Sequence, residues 1–108
     1  AFCAVEDAVR ATEAVMCSDQ CSGEIVHIGN STQEVRIIDL LQKVFDIAGY
    51  HPEVDVRPAP QGCVMRRCPN TDKLSALTGY RASITLEEAL PPMYRWYMQR
   101  YAEMEKKA

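Results

Sequence analysis

Arg66 and Arg67 stand side by side in the run Arg66-Arg67-Cys68-Pro69-Asn70, and of all residues in this sequence they are best suited to hold an anion. A guanidinium presents parallel N–H donors that match two oxygens of a carboxylate or phosphate, which lysine cannot reproduce. The plain alternative is a solvated basic turn. Cys17 and Cys21, with Cys63 and Cys68, could supply four thiolates to zinc. Compact zinc sites usually leave two residues within each pair, whereas these leave three and four. Asp7 falls where a helix begins, and a carboxylate there suits the unpaired N–H groups and the helix dipole better than a ligand. His27 lies in a predicted buried strand and is expected to satisfy a core hydrogen bond, while His51 is expected to be exposed. Asn30, after Gly29, suits a turn more than a sugar contact.

Several chemistries have no residues to support them. There is no glycine-rich dinucleotide fingerprint, no phosphate loop, no His-Glu-x-x-His and no nucleophile elbow. A net charge of −3 argues against nucleic acid as a partner, because such binding needs clustered Lys and Arg. No apolar run approaches a membrane span, and no signal-peptide pattern opens the sequence. With an odd number of cysteines and no secretion signal, reduced thiols and a cytoplasmic setting are expected. At 47% apolar and 25% charged residues, the composition is that of a globular chain, and 108 residues allow one domain, 1–108.

The elements that must position Arg66 and Arg67 follow from periodicity. Phe2–Val5 reads as a short strand, and a helix is predicted from Glu6 to about Met16. Glu24–Ile28 reads as a buried strand ended by Gly29-Asn30-Ser31. The stripe Ile37, Leu40, Leu41, Val44 and Ala48 predicts a helix over Ile37–Ala48, closed by Gly49. Val54-Asp55-Val56 reads as another strand. Strand, helix and strand over Ile25–Val56 make a βαβ unit with parallel strands and a right-handed crossover. Phe2–Val5 and Glu34–Arg36 are expected to pair as an edge ribbon. A short helix is predicted at Asp72–Leu77. Thr85 and Glu88 form a capping box for a last helix towards Lys107, which Pro91-Pro92 should kink or restart. The expected fold is thus a small α/β unit with flanking N- and C-terminal helices and no complete Rossmann domain.

Four segments, in order, resemble the extended short-chain dehydrogenases, the NAD-dependent nucleotide-sugar epimerases, dehydratases and decarboxylases. Phe2-Cys3-Ala4-Val5-Glu6-Asp7 is similar to their Phe-x-Tyr-Val-x-Asp segment. Val26-His27-Ile28-Gly29-Asn30 is similar to Tyr-Asn-Ile-Gly-Asn. Arg66-Arg67-Cys68-Pro69-Asn70-Thr71-Asp72-Lys73 resembles Arg-Arg-x-Pro-Asp-Ile-Ser-Lys. Leu77-Thr78-Gly79-Tyr80 with Thr85-Leu86-Glu87-Glu88-Ala89-Leu90 resembles the close of those enzymes. Each match alone is weak; their order and spacing together make the resemblance specific, and it spans nearly the whole sequence.

The resemblance implies the last third of such an enzyme, the region that closes over the nucleotide sugar. It implies that Arg67 reaches that ligand, with Arg66 a lesser candidate. NAD and the catalytic Tyr-x-x-x-Lys pair would belong to a missing part, so no cofactor and no turnover are expected from this chain alone. Departures at Ala4, His27, Asn70 and Pro91-Pro92, and Arg36 at a usual Ser or Thr cap, suit a fragment or a relic; the start at Ala1 fits trimming or cutting from something longer. The alternative is a stand-alone interaction or oligomerisation module on the same fold, and a zinc-stabilised module comes third. Tyr94, Trp96, Tyr97 and Tyr101 line the last helix; with a covering domain gone, that apolar surface is expected to favour a homo-oligomer.

Overall fold

A computed structural model describes all residues, 1–108. Four α-helices follow one another: α1 (Val5–Met16), α2 (Ile37–Ala48), α3 (Asp72–Thr78) and α4 (Leu86–Lys107), with a 3-10 turn at Asp19–Cys21. About half of the chain is helical and none of it is strand. The expected βαβ unit is therefore corrected to an all-helical arrangement. Glu24–Ile28 and Val54–Val56 are irregular segments without a ladder, and Phe2–Val5 is irregular until α1 begins. The expected edge ribbon does not form; Phe2 N–H bonds instead to the carbonyl of Gln33, one residue before Glu34–Arg36, at 3.1 Å.

The physical reason lies in what a strand requires. A parallel pair needs cover on both faces, and an isolated two-stranded sheet is marginal at best. Here α2 packs on α4 and no sheet forms beneath it, so nothing holds Glu24–Ile28 against Val54–Val56. The helices themselves follow their local signals. Gly49, at φ 66°, ends α2 in the left-handed conformation that side-chain-bearing residues adopt only at a cost. Thr85 and Glu88 form the capping box: the Thr85 hydroxyl accepts from the Glu88 N–H at 3.2 Å, and the Glu88 carboxylate accepts from the Thr85 N–H at 2.8 Å.

Pro91 and Pro92 do not interrupt α4, which runs unbroken for 22 residues and so about 33 Å. The missing donors would have bonded the carbonyls of Glu87 and Glu88. Both residues are exposed, so water can take those bonds. The expected kink or restart is thus corrected to one continuous helix.

The helices form two groups: α1 and α3 meet with the 3-10 turn between them, and α2 packs on α4. Leu74, Ala11 and Cys21 are buried in the first group. No side chain of α2 is fully buried, despite its being the most amphipathic stretch of the sequence. The chain exposes 8631 Å², where a folded 12.2 kDa protein of ordinary compactness exposes roughly 6,100 Å². The radius of gyration is 17.4 Å against an ordinary ~13 Å for this length. The core is thin for the amount of apolar sequence.

Polar side chains join the two groups. Asp7 of α1 is fully buried, and its carboxylate accepts from the Ser83 and Ile84 N–H groups at 3.0 and 2.8 Å and from the Tyr80 hydroxyl. Asn30, also buried, donates to the Ile84 carbonyl at 3.3 Å while its own oxygen accepts from the Thr32 N–H at 3.0 Å. Gln33 accepts from the Leu86 N–H at 2.9 Å, and within the second group Lys43 of α2 pairs with Glu87 of α4. Residues 83–86, from which α4 starts, are thereby gripped from three sides.

Candidate functional site

The Arg66–Pro69 loop lies against the Val26–Asn30 segment. Gly29 makes this approach possible. A Cβ at that position would sit 2.6 Å from Cγ of Pro69, well inside contact distance. Between these segments and Phe2-Cys3 opens a cleft of about 690 Å³, a size suited to a small-molecule ligand. Arg66, Arg67, His27, Cys3 and Cys68 reach its wall.

The two arginines differ in state. Arg66 is exposed but occupied: its Nη2 donates to Glu34 Oε2 at 2.8 Å, and its Nε donates to the other carboxylate oxygen. The Arg66 hydrogen bonds hold the Glu34 carboxyl below the usual carboxylate range, and Glu34 in turn pushes the Arg66 guanidinium further up. Arg67 is exposed and enters no ion pair or side-chain hydrogen bond. It is the free guanidinium on the cleft. Nothing local in the sequence signals the role of Glu34, since 32 positions separate it from Arg66.

The other candidates fall out as follows. Asp7 is structural, yet its partners are the distant Tyr80, Ser83 and Ile84 rather than the orphan N–H groups of its own helix. Asn30 makes its turn, bonding Thr32. His27 is exposed on the cleft, which corrects the buried core position expected of it; the strand that would have buried it does not form. His51 is exposed and pairs with Asp46 at 2.8 Å. All five cysteines are free, and no three Cys, His, Asp or Glu side chains gather in a ligating cluster. No helix is long and apolar enough to cross a membrane.

The four segments that carry the sequence resemblance converge in space. Phe2-Cys3, Val26–Asn30 and Arg66–Pro69 build the cleft, and Asp7 fastens the first of them to Tyr80 and the start of α4.

No family model and no solved structure matches the chain. Among curated proteins, it is 31% identical over 77 residues to a probable UDP-glucuronate 4-epimerase of Rhizobium meliloti (strain 1021). The match covers 71% of this chain and 22% of that protein, so the chain spans about a fifth of the length of the relative it matches. The chain is distantly related to that epimerase.

Proposed function

We propose that the chain is the nucleotide-sugar-recognising region of an NAD-dependent epimerase or dehydratase, with Arg67 as its principal anion-binding side chain and Arg66 as a lesser one, and that it does not turn over substrate alone. The observation that carries this reading is the unpaired Arg67 guanidinium on a ligand-sized cleft, in a chain related to a UDP-glucuronate 4-epimerase. A sugar nucleotide presents a diphosphate, and UDP-glucuronate a carboxylate as well. Each accepts the two parallel N–H bonds that an arginine fork donates. Arg67 needs to break no ion pair to make them, whereas Arg66 would have to leave Glu34.

The residues present do not fit NAD. A dinucleotide is held where a glycine-rich turn opens a helix, and α1 and α2 open instead at Ala4 and Arg36. In this reading the cofactor belongs to polypeptide outside residues 1–108.

The test is an NMR titration of the chain with UDP-glucuronate, paired with calorimetry on the same chain and its Arg67→Ala variant. Amide shifts should cluster at Gly29, Arg67 and Cys68. Losing a bidentate charge-assisted contact of about 2–3 kcal/mol, Arg67→Ala should weaken binding roughly 30- to 150-fold. Shifts remote from the cleft, or an Arg67→Ala affinity equal to the parent, would overturn the reading.

A further inference from the structure

We propose that the second half of α4 is an interface between two copies of this chain, which pair side by side in a parallel, two-fold arrangement. The sequence of α4 carries the pattern for it. Leu90, Tyr94, Tyr97, Tyr101 and Met104 recur at alternating steps of four and three residues, the 3.5-residue repeat of a helix seam that winds on another helix. Met93 and Met98 widen this seam on either flank.

The structure uses only its beginning. Leu90 and Tyr94 are partly covered, α4 packs on α2, and Tyr97 also lines a cleft that α4 shares with the start of α1. From Arg95 onward every residue is exposed, and the seam continues into solvent with Tyr97 62%, Tyr101 60% and Met104 69% accessible. An apolar stripe that outruns the cover given by its own chain needs another of similar shape, and the same stripe on a second copy supplies it.

Charge fixes the direction of pairing. Arg100 and Lys107 flank the seam on one side, and Glu105 on the other. In a parallel pair the flanks face across with an offset of five residues, so Arg100 of each copy meets Glu105 of the other, twice by symmetry. In an antiparallel pair the Arg100–Lys107 flank faces its own copy, cation against cation. Arg100 has an exposed partner of its own in Glu103 at 3.1 Å, a contact weak enough to exchange. This inference stands apart from the nucleotide-sugar reading, because the free half of α4 contributes no residue to the Arg67 cleft.

Light scattering of the 108-residue chain over a range of concentrations tests it, with circular dichroism reporting helix content of each variant. The expected mass is twice 12.2 kDa at high concentration. Tyr101→Glu should give a monomer with unchanged α1–α3 signals by NMR. Arg100→Glu should weaken association roughly tenfold, and adding Glu105→Arg to it should restore the parent affinity. A monomer at every concentration would overturn the proposal and assign the stripe to polypeptide other than a second copy. A dimer indifferent to Tyr101→Glu would also overturn it, as would a charge-exchanged variant that stays weak.

Discussion

The Tyr80 hydroxyl donates to the buried carboxylate of Asp7, 73 positions away in sequence, and this bond closes α1 onto the segment that launches α4. Burial alone would raise the Asp7 pKa. The Tyr80 hydroxyl and the Ile84 and Ser83 N–H groups outweigh it, and the net direction is down. Burial and the Asp7 carboxylate together push the Tyr80 phenol up to about 12 from its ordinary 10.0.

The pH dependence follows with its sign. Asp7, depressed in the folded state, adds stability above its unfolded pKa that is lost as pH falls through the folded value, so its acid limb lies below the ordinary aspartate range. Tyr80, raised in the folded state, adds stability that is full below pH 10.0 and lost as pH rises towards about 12. Urea unfolding across pH should show an alkaline decline in the parent that is smaller in Tyr80→Phe. An identical alkaline limb in both proteins would show that Tyr80 is not its source.

Asp7→Ala should be among the most destabilising single changes. It leaves the Ser83 and Ile84 N–H groups and the Tyr80 hydroxyl without their acceptor, at a cost of about 2–4 kcal/mol. Asp7→Asn keeps one acceptor oxygen and should cost less. Thermal melts of the two variants check the order; equal losses would argue that charge, not acceptor number, matters at this position.

Gly29→Ala tests how the cleft is assembled. The added Cβ would meet the Pro69 ring at 2.6 Å, and a proline ring cannot swing aside as a flexible side chain would. The Arg66–Pro69 loop must move, at a cost of about 1–3 kcal/mol for overpacking. Amide shifts should spread over Arg66–Asn70 and leave α2 untouched. A shift pattern confined to Gly29 would mean the loop yields easily.

The helices were legible because their signals are local. The Ile37–Ala48 stripe with Gly49 and the Thr85–Glu88 capping box each decide within a few residues what the backbone does. The absence of strands was not legible, because an apolar run such as Glu24–Ile28 becomes a strand only if a neighbour pairs with it, and none does here. The same limit hid Glu34 as the partner of Arg66 and Gln33 as the acceptor for Leu86, since both contacts join positions far apart in sequence. Arg66 and Arg67 look alike in sequence; only the fold, by occupying one and leaving the other free, tells them apart.

Arg36 opens α2 without a side-chain cap and pairs instead with Asp39 at 2.7 and 2.9 Å. A Thr at this position would bond an orphan N–H of the first turn, typically about 1 kcal/mol. The Arg36–Asp39 pair is exposed and screened by solvent, so it contributes less. The cap is the larger effect, so Arg36→Thr should raise the melting temperature slightly despite losing a bidentate pair. A lower melting temperature for Arg36→Thr would reverse that ranking.

Glu34 decides how much positive charge the cleft offers. Its carboxylate takes both Nε and Nη2 of Arg66 and so withholds that guanidinium from any ligand. Glu34→Gln removes the negative charge and leaves only a neutral acceptor, which frees Arg66 to join Arg67. An exposed pair of this kind is screened by solvent and contributes little, so the affinity for a sugar nucleotide should rise roughly two- to fivefold, not by orders of magnitude. The gain should shrink as salt is added, because both arginines are exposed. In an Arg66→Ala background, most of the gain should vanish, since the side chain that Glu34 restrains is gone. Calorimetric titration of the four proteins with UDP-glucuronate measures this, and a full gain without Arg66 would show that Glu34 acts on the ligand directly.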